Sequence, residues 1–375
     1  MGLLQPPRQP PREASALSST DSSLRVAVVG AGLMGRWHAH YAKRSGARVV
    51  AVVDSSANAA ALLARRAGDA AVFEAMGAML AAAQPHVVHI CTPLFTHLPL
   101  ALQAVEAGVH ALVEKPLTAT ASQSQALLQR AQENGVHVCP VHQFAFQRGV
   151  AHAAAALGQL GEPLHASFTI CSAGGDGQTG DAWDAIVADI LPHPLSVLQA
   201  LWPRHSLRCD DWSAQSPRHG ELLVQGRSGD VPVAIYVSMS ARPTRCDLEV
   251  LCSAGSVQVN FFHGYATVRH GRPSRADKIL QPFRQAGSTA AMAGANLAGR
   301  AWRREWAYPG LATLVSAFHA AAGGTGSNPI SMADSLAVAW VREHLVHGVV
   351  SSAMRDAAGD GQPPHPDEHG RARAL

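Results

Sequence analysis

The chain has 375 residues, 47% of them apolar and 15% charged, with a net charge of +3. That length can bury two substantial cores, and the apolar content excludes a disordered chain. With no basic stripe and no uninterrupted run of about 18 large apolar residues, neither a nucleic-acid partner nor a transmembrane span is implied. The six cysteines are scattered without a C-x-x-C pair, which fits reduced thiols in a cytoplasmic protein and implies no metal site. Residues 1–23 are proline-rich and lack the apolar core of a secretory signal, so they read as a disordered leader.

A buried strand over 26–29 runs into Gly30-Ala31-Gly32-Leu33-Met34-Gly35, a G-x-G-x-x-G. A helix of about a dozen residues follows, and a second buried strand over 49–53 stops at Asp54. Each part has a physical reason in dinucleotide binding. Gly30 permits the tight turn, Gly32 lets the backbone approach a pyrophosphate, and Gly35 lets helix and strand pack closely. The helix amino terminus at Leu33 and Met34 offers unpaired N–H groups to that anion. Asp54 stands where a carboxylate accepts hydrogen bonds from the adenosine ribose. Ser55 and Ser56 follow it with no adjacent arginine, which favours NAD, with NADP as the alternative.

Helices at 57–66, 74–83, 96–107 and 118–134 alternate with strands at 70–73, 87–91, 109–113 and 136–139. Such alternation requires a doubly wound parallel sheet, a Rossmann domain over 24–145. After a helix over 149–160 the pattern changes. Strands follow one another at 164–171, 207–213, 221–226, 231–240, 246–252, 256–262 and 266–269. They predict a carboxyl-terminal α/β domain with a largely antiparallel sheet over 146–355. A glycine-rich loop at 174–180 and a helix near 194–201 interrupt the strands, and helices at 311–322 and 332–352 close the domain. Within an insertion over about 271–308, the segment 284–306 lacks a single apolar helical stripe and reads as an exposed contact element, the alternative being a mobile surface insertion with no partner. The tail, 356–375, reads as disordered.

Ligands of open parallel sheets bind beyond the carboxyl ends of the strands. That places Thr92, Pro93 and His97, then Glu114, Lys115 and Pro116, then Val141-His142-Gln143-Phe144 along one crevice with the glycine turn. Lys115 ends a buried strand and is held extended by Pro116. The same Glu-Lys-Pro is equally an ordinary helix start. His97 is either part of the pocket or a surface residue on the next helix. Asp189 and His193 are four apart, so one continuous helix would present both on one face, but Pro192 and Pro194 oppose that helix.

The glycine turn with Trp37-His38, the Cys-Thr-Pro turn with His97, the Glu-Lys-Pro run to Pro116 and the Asp189/His193 pair resemble the glucose–fructose oxidoreductase/inositol dehydrogenase (Gfo/Idh/MocA) family. The resemblance covers about 24–355 and is strongest over 24–140. It implies an oxidoreductase that moves a hydride between NAD or NADP and a hydroxyl-bearing carbon of a sugar, cyclitol or nucleotide-sugar. Lys115, Asp189 and His193 would surround that carbon. It also implies a homo-oligomer assembled through the open sheet. Two alternatives stay open: transient redox by bound NAD in a lyase or glycosidase, and a cofactor-binding subunit without catalysis. Peripheral membrane contact through the insertion is also left open.

Overall fold

The computed structural model describes residues 23–175, 177–271 and 275–359. Most of the predicted leader and the last residues of the predicted tail lie outside the described residues.

The first half builds a six-stranded parallel sheet. Its strands are β1 (Arg25–Val29), β2 (Arg48–Val53), β3 (Ala71–Phe73), β4 (Val87–Ile90), β5 (His110–Val113) and β6 (Val138–Pro140), in the order β3-β2-β1-β4-β5-β6. The crossovers are α1 (Leu33–Arg44), α2 (Ala57–Ala67), α3 (Met76–Ala83), α4 (His97–Glu106) and α5 (Ala121–Glu133). The central strands are buried on both faces, as a doubly covered parallel sheet demands. Local chemistry sets the helix starts. Thr120 and Gln123 close a capping box at α5, and Ser56 Oγ accepts the Ala59 N–H at α2.

The second half opens with α6 (Arg148–Leu157) and builds a seven-stranded sheet. Its strands are β7 (Pro163–Cys171), β8 (Ser213–Gln215), β9 (Glu221–Ser228), β10 (Val231–Ser238), β11 (Arg245–Cys252), β12 (Gly255–Asn260) and β13 (Tyr265–His270). The order is β13-β12-β11-β7-β10-β9-β8, antiparallel except where β7 meets β10. Helices α7 (Asp181–Ile190), α8 (Pro192–Leu201), α9 (Arg275–Trp302), α10 (Leu311–Ala322) and α11 (Met332–Gly359) complete the chain. Val187, Leu191, Leu195 and Leu198 bury their side chains in this second core with Phe168, Ile235 and Leu248.

Several expectations are corrected. The strand expected over 207–213 is a short helical turn, Cys209–Asp211, followed by β8, because two adjacent aspartates disfavour a strand. Helix α7 was not anticipated. Gly180, at φ +58°, ends the glycine-rich loop, and Asp181 and Asp184 then suit the positive end of a helix. The insertion is a 28-residue helix, since alanines and long side chains outweigh Gly287, Gly294 and Gly299. Ile279, Phe283 and Leu297 lie 70–75% exposed on it, so it stays out of the core. Helix α11 continues to Gly359, beyond the expected end. Finally, α10 does not close the second domain. Leu311, Leu314, Val315 and Phe318 belong to the core that also holds Val26, Tyr41 and Val52, where they cover part of the parallel sheet.

Candidate active site

The glycine turn is built as the spacing predicts. Gly30 has φ +97°, and a Cβ there would lie 2.5 Å from the Cys91 carbonyl oxygen. A Cβ on Gly35 would lie 1.8 Å from the Gly30 carbonyl oxygen, so α1 can approach β1 only without one. Gly32 is different. It caps α1, and nothing lies within 4 Å of where its Cβ would be. Open space over a helix amino terminus fits a dinucleotide pyrophosphate, whose charge the first-turn N–H groups of Leu33 and Met34 would meet. Asp54 ties this turn to β2: Oδ2 accepts the Ala31 N–H at 2.7 Å, and Oδ1 accepts the Ser56 N–H at 2.8 Å. Each oxygen keeps a lone pair for a ribose hydroxyl.

The turns after β4 and β5 are clasped to each other. His97 is buried, not a surface residue, and its ring nitrogens lie 2.8 Å from the Pro116 and Thr92 carbonyl oxygens. Thr96 Oγ1 donates to Thr92 Oγ1 and sits 2.7 Å from the Pro93 carbonyl oxygen. Glu114 is buried, and Oε2 accepts the Lys115 N–H at 3.2 Å while Oε1 lies 3.1 Å from His38 Nε2. The Lys115–Pro116 bond is cis.

Lys115 reaches across to the second half. Its ammonium donates to the Asp189 carbonyl oxygen at 3.0 Å and forms an ion pair with the Asp189 carboxylate. Asp189, near the end of α7, and His193, at the start of α8, are joined through Leu191 in helical conformation, and it is Lys115 that takes up the Asp189 carboxylate. Pro192 starts α8, and with no N–H it leaves the Ala188 carbonyl free, where Arg342 Nε donates at 3.1 Å. His193 instead stacks on Phe144, ring centroids 4.0 Å apart, and its buried Nδ1 has no partner. Burial first, then Lys115, then His142 hold the His193 imidazole well below its usual range. Burial and Lys115 likewise push His142 down to about 3. Both shifts favour the neutral ring, beside a lysine that is already paired.

Sequence reasoning missed Arg342 and the stacking of Phe144. Arg342 lies on α11, far along the chain, with no local signal. Phe144 stood in a turn already assigned to the crevice, but nothing in its spacing named His193 as its partner. Among the described residues, Asp181, Asp184 and His219 form a group with metal-ligand spacing. It is satisfied internally: His219 Nδ1 bonds Asp184 at 2.6 Å, and Asp184 also accepts the Gly220 N–H at 2.7 Å.

A parallel sheet with a glycine turn, a terminal acid and a lysine facing a second sheet defines a dinucleotide-dependent oxidoreductase class. The model of an oxidoreductase family with an NAD-binding Rossmann fold, Gfo/Idh/MocA, matches residues 24–142. An inositol 2-dehydrogenase from Rhodococcus erythropolis is 32% identical over 250 residues, 63% of this chain and 68% of that protein. The chain belongs to the Gfo/Idh/MocA family, and its amino-terminal sheet is the NAD-binding domain. A D-glucoside 3-dehydrogenase from Escherichia coli is 40% identical over 118 residues, which is 31% of this chain and 34% of the relative. The match therefore spans about a third of that enzyme's length. A solved UDP-N-acetylglucosamine 3-dehydrogenase from Acidithiobacillus ferrooxidans superposes with a TM-score of 0.68 at 19% identity, covering 88% of this chain and 98% of that one. That likeness carries the whole two-sheet fold.

Proposed function

We propose that the protein is an NAD-dependent dehydrogenase acting on a secondary hydroxyl of a sugar, cyclitol or nucleotide-sugar. The observation that carries this reading is the meeting of Lys115, from the end of β5, with Asp189 and the neutral His193 and His142. Bound NAD would supply the hydride acceptor. Gly30, Gly32, Leu33, Met34, Gly35 and Asp54 would hold its adenosine and pyrophosphate half. Thr92, Pro93, His97 and Glu114 would shape the other half of the crevice, with Lys115 at its substrate side. The Lys115 ammonium would hydrogen-bond the substrate oxygen and stabilise negative charge developing there. Asp189 would keep the ammonium in place when substrate is absent. His193, neutral and with an unpaired Nδ1, is in the form that accepts a hydroxyl proton.

Relatives acting on glucosides, inositols and UDP-sugars support a polyol substrate. In this reading 24–145 is the cofactor domain and 146–355 the substrate domain, with α10 serving the first. Leu223 and Leu251, each 43% exposed on the outward sheet face, support a homo-oligomer through that face. No helix among the described residues is long and apolar enough to cross a membrane, which is compatible with a cytoplasmic enzyme. The test is to supply NAD and NADP with sugars, cyclitols and nucleotide-sugars and to follow NADH absorbance. Net reduction of NAD by at least one polyol is expected. NAD binding without turnover of any of them, unaltered in Lys115→Met, would overturn the reading.

A further inference from the structure

Three buried histidines from three elements meet in one line through the amino-terminal domain. His38 on α1 and His89 on β4 are fully buried, and His319 on α10 is 7% exposed. His38 Nδ1 lies 3.1 Å from His89 Nδ1, and His89 Nε2 lies 2.9 Å from His319 Nε2. The line has two ends. His38 Nε2 meets Glu114 Oε1 at 3.1 Å, just past the carboxyl end of β5, and His319 Nδ1 meets Ser45 Oγ, on a half-buried residue, at 2.8 Å.

Counting protons gives the line a direction. Ser45 has one hydroxyl proton, and donating it to the Ala42 carbonyl oxygen at 2.7 Å leaves none for His319. Ser45 therefore accepts from His319 Nδ1–H. A neutral imidazole has one N–H, so His319 Nε2 must accept from His89 Nε2–H, and His89 Nδ1 must accept from His38 Nδ1–H. That leaves His38 Nε2 without a proton opposite a carboxylate oxygen. Two bare acceptors at 3.1 Å would repel, so this arrangement places one further proton between Glu114 and His38. A Ser45 hydroxyl turned to His319 would instead reverse every bond in the line and need none. Burial supports neutral outer rings, holding His89 well below its usual range and His319 at about 4. Cys91 and Tyr308 are the other titratable groups whose ionisation Glu114 influences, and both are held in the protonated form by burial.

We propose that Glu114, His38, His89, His319 and Ser45 form a proton relay that joins the floor of the cofactor crevice to solvent and stores one proton between Glu114 and His38. Its use, though not its existence, rests on the dehydrogenase reading. Oxidising a secondary alcohol to a ketone sends two electrons and one hydrogen nucleus to NAD as hydride, giving NADH. The hydroxyl proton is left over, one for each ketone formed. That proton must reach water. When the proton taken up by His193 passes through water in the crevice to Glu114, His38 takes a proton on Nε2 and releases another from Nδ1. His89 accepts it on Nδ1 and releases one from Nε2, and His319 passes one from Nδ1 to Ser45 and water. Each ring ends in its other tautomer, and no charge remains inside.

Imidazole 15N resonances of the cofactor-free protein read this directly. His89 should be neutral with its proton on Nε2, and His319 neutral with its proton on Nδ1. Ser45→Ala removes the outer acceptor, so all three rings should reverse and His38 should donate from Nε2 to Glu114. Unchanged His38 and His89 resonances in that variant, or mixed tautomers in the native protein, would overturn the relay. In a first turnover with NAD, release of the proton to an indicator dye should match NADH formation in the native protein. It should lag roughly tenfold in Ser45→Ala and His89→Leu. Synchronous release in the variants would also overturn the relay. Tautomer reversal in a protein that oxidises no polyol would sink the dehydrogenase reading and leave the relay standing.

Discussion

Replacing Lys115 with methionine separates chemistry from stability. The change keeps the length and apolar stem of the side chain and removes the ammonium. The ion pair it breaks is not a strong structural element, because the Asp189 side chain is 45% exposed and its carboxylate returns to water. An exposed partner limits such a pair to about 0.2–1 kcal/mol. The thermal midpoint should fall by no more than about 4 °C. Turnover should behave differently. Lys115 is the cation placed to meet a developing alkoxide, and loss of one such donor typically costs a factor of about 100–1,000 in kcat. The ammonium also depresses His193 and His142, so both imidazoles should protonate at higher pH in the variant. Steady-state kinetics across pH, NAD titration and calorimetry on the same preparations give the three readouts. A variant that keeps wild-type turnover, or that loses NAD affinity as severely as turnover, would refute the reasoning.

Gly35→Ala should destabilise the protein by about 1–3 kcal/mol and weaken NAD, because the new Cβ meets fixed backbone at the Gly30 carbonyl; an unchanged urea midpoint would contradict this. Asp54→Ala should lower NAD affinity roughly tenfold and narrow its preference over NADP, read by fluorescence titration; stronger discrimination against NADP in the variant would count against the ribose contact. Acid should destabilise the fold through its buried neutral histidines. Their folded pKa values lie below 6.5, so their contribution is present above that pH and is lost as pH falls toward about 4, where His110 and His319 titrate. A shift of the size seen at His319 is worth on the order of 3 kcal/mol, so urea midpoints that stay level from neutral pH to about 4.5 would argue against it. Deleting 285–299 behind a short Gly-Ser bridge should leave NAD affinity unchanged, since α9 packs on β13 and its large apolar side chains face solvent; loss of the folded state would show that the helix supports the core.

The cofactor half was legible because its signals are local. The glycine turn, the strand ending at Asp54 and the Glu-Lys-Pro turn each lie within a few dozen residues, and steric reasons fix their residue types. The resemblance placed Lys115 and Asp189 around one carbon, but spacing alone could not show their ion pair, because it joins positions 74 apart that only the packing of the two halves brings together. Pro192 and Pro194 left the relation of Asp189 to His193 open in the sequence, and Pro192 is also what frees the carbonyl used by Arg342. The three-histidine line was invisible for the same reason. His38, His89 and His319 are each ordinary in sequence, and 230 residues separate the last two. The exposure of the insertion was legible in its lack of one apolar stripe, whereas its 28-residue helix follows from a long run of mostly good helix formers that absorb Gly287, Gly294 and Gly299.

The position of α10 has a consequence for synthesis. The amino-terminal sheet ends at Pro140, yet its core is filled by Leu314 and Phe318, some 180 residues downstream. At about 5–20 residues per second the nascent sheet waits roughly 10–40 s for its final helix. During that interval an apolar face beside Val26 and Tyr41 stays uncovered, and the second domain has time to fold between the two halves of the first. The ribosome thus delivers this nucleotide-binding unit open, and a helix made much later shuts it.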